Sequence, residues 1–125
     1  MCKTGMSDDT GQARALLLDQ LMQTRRRQAV LTYRQLLDAL PLRVPKMQQL
    51  ARLLEQLAEQ DAQRGWPLRS ALVVSQTGSS LPRQGFFQHL CEVGILDMPA
   101  SEADAKRWHT QELQRIFTFD YPGEG

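Results

Sequence analysis

Thr32-Tyr33-Arg34-Gln35-Leu36-Leu37-Asp38-Ala39-Leu40-Pro41, continued by Leu42-Arg43-Val44-Pro45-Lys46, is the stretch that decides the predicted fold. Its first four residues have the Thr-x-x-Gln spacing of a capping box, and Leu31 and Leu36 have the spacing of a hydrophobic staple. Pro41 ends this first helix, and Pro45 suits the first turn of the next one. The stretch therefore predicts two helices joined by a tight turn.

The helix after the turn is predicted to run from Pro45 to Arg64, with Gly65 at its end. Apolar residues recur in it at helical spacing. They are Met47, Leu50, Ala51, Leu54, Leu57, Ala58 and Ala62. The opposite face carries Gln48, Gln49, Arg52 and Gln56.

The elements on either side complete a mainly α prediction with a small β element. Before the turn, a helix capped by Asp9 is predicted to end near the arginines at 25–27. After it, Ser70–Ser75 reads as a short buried strand and Thr77–Gly85 as a loop. Two further helices are predicted, one over Phe86–Val93 ended by Gly94 and one capped by Ser101.

Length and composition predict one domain over residues 1–125, with frayed ends at 1–8 and 120–125. The longest apolar run near the N-terminus is Ala15–Leu18, too short for a signal peptide or a membrane span. We therefore expect a cytoplasmic protein with no membrane partner. Cys2 and Cys91 do not make a disulfide framework and are expected to be reduced.

Positive charge is concentrated around the predicted turn. Between residues 23 and 52, seven basic residues face one acidic residue, Asp38. The basic ones are Arg25, Arg26, Arg27, Arg34, Arg43, Lys46 and Arg52. Such an excess is typical either of a solvated face or of a surface that binds an anionic partner.

Residues for catalysis or metal binding are not grouped in the sequence. The histidines and cysteines lack the paired spacings of structural zinc sites, and no serine lies in a nucleophile motif. His109 and Glu112 share a helix face and could act as a base and its partner, but such pairs are common on exposed helices. We expect no enzyme, no cofactor and no metal.

The order of short helix, turn, long helix, strand and Gly-rich loop over residues 31–87 is that of a winged helix, here flanked by N- and C-terminal helices. In that fold the second helix enters the major groove and the loop, or wing, reaches the backbone. Gln can read adenine, Arg can read guanine, and basic side chains can contact phosphates. The predicted double-stranded DNA-binding residues are Arg34, Arg43, Lys46, Gln48, Gln49, Arg52, Gln56, Arg69 and Arg83.

A family resemblance supports this order. Thr32–Leu37, Pro45–Leu50, Pro67-Leu68 before the apolar strand, and the turn ending in Gly85-Phe86 resemble the winged-helix DNA-binding domain of alkylguanine-DNA alkyltransferases and alkyltransferase-like proteins. Where that family has Pro-Cys-His-Arg or its Trp variant, this chain has Val73-Val74-Ser75-Gln76, so the resemblance implies a scaffold without alkyl transfer. The arginine that the family inserts into the duplex corresponds most nearly to Gln49, which argues against base flipping.

The competing interpretation is a protein adaptor or inhibitor on the same scaffold, with the arginines facing an acidic protein partner. Trp66, Phe86, Phe87 and Trp108 would form its contact patch, although the same residues also suit a core. Leu53, on a partly polar side of its helix, would support a homodimer if it were exposed.

Overall fold

Five helices and one pair of very short strands make up the described part of the chain, residues 5–75 and 81–122 of the computed structural model. The helices are α1 (Gly5–Arg26), α2 (Tyr33–Ala39), α3 (Lys46–Gln63), α4 (Gln84–Glu92) and α5 (Glu102–Thr118). Strands β1 (Leu31–Thr32) and β2 (Val73–Val74) run parallel, with Leu31 opposite Val73. The prediction of a mainly helical chain with a small β element is confirmed.

Three of the local signals predicted to begin or end helices are confirmed. The Thr32 hydroxyl accepts from the Gln35 amide at 3.1 Å, and the Gln35 side chain accepts from the Thr32 amide at 2.8 Å. Ser101 caps α5 by accepting from the Asp104 amide. Gly65, at φ +73°, follows α3 in the left-handed conformation that favours glycine.

The predicted start of the first helix needs correction. α1 begins at Gly5 and runs through Asp9, so Asp9 does not cap it, and residues 5–8 are helical rather than frayed. Residues 6–8 contain no proline, so no backbone restriction stops the helix from extending past the cap signal. Residues 1–4 lie outside the described range.

The predicted strand Ser70–Ser75 is also shorter than expected. Arg69–Leu72 forms a 3-10 turn, and Val73 and Val74 alone pair with β1. Before Val73, backbone groups of the chain form hydrogen bonds with side chains of α3 and α5 instead of with a partner strand. Residues 70–74 are nevertheless buried, as the apolar composition of the stretch predicted.

The apolar faces of the helices meet in one main cluster. Leu17 and Leu21 of α1, Leu54 of α3 and Ile116 of α5 have at most 1% of their surface exposed. A smaller cluster beneath α4 joins Phe86 and Leu90 to Leu68. Among the helices described, none has the length and apolar character needed to cross a membrane.

A buried polar network surrounds the segment Pro67–Leu72, which we call the central segment. From α3, the Asp61 carboxylate accepts from the Arg69 amide at 3.0 Å and from the Arg69 guanidinium at 2.8 and 3.2 Å. From α5, Glu112 accepts from the Leu68 amide at 2.7 Å, and His109 Nε2 lies 2.8 Å from the Ala71 carbonyl. The segment thus obtains from side chains hydrogen bonds that no partner strand supplies.

The end of the chain is anchored on the same segment, and the predicted fraying from residue 120 is wrong at Tyr121. Its ring is buried and packs edge-on against Trp66 and Phe119, and its hydroxyl donates to the Pro67 carbonyl at 2.9 Å. Burial raises the pKa of this hydroxyl, so it remains a donor. Residues 123–125 lie outside the described range.

The ion pair between Asp61 and Arg69 allows a stability prediction with an internal control. Replacing Asp61 by Ala leaves a buried guanidinium without its partner, and we expect a loss of about 3–5 kcal/mol in the free energy of unfolding. The pair of Arg34 and Asp38 has side chains more than 70% exposed, so Asp38→Ala should cost about 0.5 kcal/mol or less. Urea unfolding measures both, and equal losses would contradict the assigned role.

His109 makes stability depend on pH. Burial lowers its pKa below the ordinary value of about 6.5, against the opposing effects of its hydrogen bond to Ala71 and of the Glu112 charge. The unfolded chain therefore binds the proton more readily than the folded chain does. The contribution of neutral His109 to the free energy of unfolding is fully present above about pH 6.5, and it is lost as the pH falls towards the lower pKa of the folded state. The slope reaches at most about 1.4 kcal/mol per pH unit.

Urea unfolding between pH 7.5 and 5 tests this, with His89 replaced by Gln in every protein so that one histidine remains. Adding His109→Gln, which keeps a donor for the Ala71 carbonyl but does not titrate, should flatten the profile. A profile that is unchanged by His109→Gln would refute the assignment.

Candidate nucleic-acid interface

The turn between α2 and α3 is anchored from both sides. Leu42 is buried, and its amide donates to the Leu40 carbonyl at 2.9 Å. From α3, the Gln49 side chain accepts from the Arg43 amide. Pro45 caps α3 with a restricted backbone. The turn therefore has a defined shape, and it presents Arg43, Val44 and Lys46 to solvent.

The exposed face of α3 is the face that the sequence predicted. Its inner side, with Leu50, Leu54 and Leu57, is buried in the main cluster. Gln48, Arg52 and Gln56 lie on the exposed side. A period of 3.6 residues explains both sides, because positions 48, 52 and 56 recur at four-residue intervals along one edge of the helix.

A groove of about 330 Å³ separates the turn from this face of α3. One side is formed by the turn and the other by the polar edge of the helix. It is lined by Arg43, Val44, Pro45, Gln48, Gln49, Arg52, Leu53 and Gln56. The lining contains two arginines and three glutamines but no carboxylate, so the groove favours an anionic or hydrogen-bonding ligand.

Arg83 adjoins the same surface from the other side. Its amide donates to the Tyr33 hydroxyl at 3.1 Å, and its guanidinium lies 5.8 Å from the Tyr33 ring centre. Burial raises the pKa of Tyr33, which keeps the hydroxyl neutral. Arg83 shares a shallow depression with Gln48 and Arg52. We call the six exposed residues Arg43, Lys46, Gln48, Arg52, Gln56 and Arg83 the α3 surface.

An acidic edge limits the α3 surface towards α4. Glu55 lines the depression that holds Arg83, and His89 of α4 lies between Glu55 and Glu59, with ring nitrogens 3.7 and 2.7 Å from their carboxylates. Along α3, the basic residues of the α3 surface are therefore confined to the first half of the helix and to the turn before it. This edge is not predictable from the sequence, since Glu59 and His89 are 30 residues apart and give no local signal.

Three predicted site residues have other roles. Arg69 is buried against Asp61, so the prediction that it contacts phosphate is wrong: its guanidinium would have to leave a buried carboxylate. Gln49 is half-buried, and its side-chain oxygen holds the turn. Arg34 is exposed on α2 and lies 3.7 Å from Asp38, which offsets its charge locally.

Leu53 is also placed differently from the prediction. It is 5% exposed and belongs to the main cluster, so it offers no apolar contact to a second copy of the chain. This removes the basis on which a homodimer was predicted. The cause is the wide apolar stripe of α3, which includes position 53 beside Leu50 and Leu57.

The predicted wing is described only in part. Residues 76–80 lie outside the described range, and the expected loop up to Gly85 is two residues too long, because α4 begins at Gln84. The Ser75 amide donates to the Leu81 carbonyl at 2.7 Å, which closes the loop at its base. Its charged residue, Arg83, is thereby held next to α3.

The residues considered above for catalysis have structural contacts in the described part of the chain. His109 and Glu112, the pair with the spacing of a base and its partner, are both buried and bonded to the backbone of the central segment. Within the described ranges, no three His, Cys, Asp or Glu side chains are grouped so as to hold a metal ion. Cys91 is exposed and unpaired by any disulfide.

Comparison with protein families, with curated proteins and with solved structures gives no match to this chain. The arrangement of the α3 surface is therefore the basis on which its function is inferred.

Proposed function

We propose that the chain binds double-stranded DNA in the cytoplasm without catalysing a reaction on it, with α3 in the major groove. The observation that carries the proposal is the α3 surface, where basic and amide side chains are exposed together on one helix face and one ordered turn. Phosphates attract the basic groups, and base edges offer partners to the amides.

Each part of the surface has a distinct role in this proposal. Arg43 and Lys46 at the turn, and Arg83 across α3, would contact phosphates on the two sides of the groove. Gln48, Arg52 and Gln56 along the helix edge would meet base edges. The acidic edge formed by Glu55 and Glu59 would lie where α3 leaves the duplex, since carboxylates and phosphates repel each other.

The winged-helix interpretation forms part of the proposal. The order of α2, the turn, α3 and β2, with Arg83 beside α3, supports it. In this interpretation Arg83 reaches the DNA backbone beside α3. The resemblance to the alkyltransferase DNA-binding domain concerns the same scaffold, and Val73-Val74-Ser75 at the place of its reactive motif is in keeping with binding alone.

The adaptor alternative has less support from the contacts observed. Phe86 and Phe87, two of its four predicted contact residues, are about 95% buried. Trp66 and Trp108 are half-buried and pack against the core. An acidic protein partner would use the same α3 surface as DNA, so a pull-down performed beside the DNA titration separates the two proposals.

A charge reversal on the α3 surface tests DNA binding. Lys46→Glu with Arg52→Glu should weaken binding to a generic 24-base-pair duplex by at least about tenfold at low salt, because two favourable contacts become repulsive. Fluorescence anisotropy at two salt concentrations gives the dissociation constants. The salt dependence of the double variant should be shallower than that of the wild-type protein.

The matched control is Lys106→Glu with Arg107→Glu on α5, which makes the same change in net charge at exposed residues of another helix. This control should keep most of the affinity. If the wild-type protein does not bind at low salt, or if both double variants weaken binding equally, the proposed interface is wrong.

A further inference from the structure

Val44 is the most exposed large apolar residue in the described part of the chain, at 87%, and it is held in place. The next most exposed are Met98 and Val93, at 44% and 43%. Arg43, just before it, is held by Gln49, and Pro45 follows it with a restricted backbone. An apolar side chain kept in water by an ordered turn loses little conformational freedom when a ligand covers it.

The groove beside Val44 combines three kinds of chemistry. Val44 and Pro45 make an apolar side, Gln48 and Gln56 bring amides from the helix edge, and Arg43 and Arg52 bring positive charge. A ligand that matches all three has a small apolar group, a nearby pair of hydrogen-bonding groups, and negative charge on its flanks.

An A·T base pair viewed from the major groove has this combination. Thymine has a C5-methyl group, adenine has an N6 donor beside an N7 acceptor, and phosphates border the groove. A G·C pair has no methyl group, and its guanine presents two acceptors, which suit Arg better than Gln. Val44 and the glutamines at positions 48 and 56 therefore favour an A·T pair over a G·C pair.

We infer that the groove between the turn and α3 reads A·T pairs, with Val44 on the thymine methyl group and Gln48 on adenine. This inference rests on the proposed function and adds base preference to it. Val44 is then a specificity residue whose contact depends on one methyl group of the DNA.

Replacing thymine by uracil removes that methyl group alone and provides the test. Wild-type protein should bind an alternating dA·dT duplex of 24 base pairs about fourfold more tightly than the same duplex with dU, the ratio expected for one buried methyl group. Anisotropy titrations at fixed low salt give both dissociation constants. Val44→Ala should bring the ratio close to one and leave the circular dichroism spectrum unchanged, since this side chain has no core contact.

Val93→Ala is the matched control, because Val93 is exposed and lies after α4. It should keep the fourfold ratio. Gln48→Ala should keep the preference for thymine over uracil but reduce the preference for dA·dT over dG·dC duplexes. Each variant thus removes one half of the predicted recognition.

The outcomes separate the two proposals. If wild-type protein binds the dT and dU duplexes equally tightly, or if Val44→Ala keeps the ratio, the base-reading inference is overturned while DNA binding stands. If it binds none of the duplexes at low salt, both proposals fail.

Discussion

The central segment is buried in the interior and contains a 3-10 turn, so no partner strand pairs with its backbone. A buried backbone group without a partner costs about as much as a lost hydrogen bond, so such a segment needs donors and acceptors from elsewhere. Asp61, His109, Glu112 and Tyr121 provide them from three parts of the chain. Their contacts bind α3, α5 and the C-terminal residues to one buried segment, around which the apolar clusters are arranged.

This constraint also determines which face of α3 remains open. Asp61 must face Arg69, and Leu54 accepts through its carbonyl from the Ser70 hydroxyl at 2.7 Å. The helix is thereby held against the central segment along its second half, and its apolar stripe continues that contact towards the turn. The edge with Gln48 and Arg52 is exposed to solvent, because the opposite edge packs against the central segment and the main cluster.

How much the sequence predicts depends on the distance over which each interaction acts. The capping box at Thr32, the stop before Pro41 and the left-handed glycine at 65 act within a few residues, and all were predictable. The pairing of β1 with β2, the anchoring of Tyr121 and the contact of His89 with Glu59 join residues 30 or more apart. The partners in these contacts are determined by tertiary packing, which local sequence patterns do not indicate. In the candidate site, helix periodicity predicted the open edge of α3, but not the burial of Arg69 or the exposure of Val44.

The basic residues of the first half consequently divide into two groups that the net charge cannot distinguish. Arg25 donates to the Ile116 carbonyl at 2.8 Å and lies over the Tyr121 ring, and Arg69 is bound by Asp61, so both hold helices together. Moving either cation to a ligand would expose a buried acceptor without its donor. Arg43, Lys46 and Arg52 lie instead on an ordered turn and an open helix edge. Both groups contribute to the long-range field, but the proposed contact with an anionic partner is assigned to the second group, because these side chains can move to a ligand without uncovering a buried acceptor.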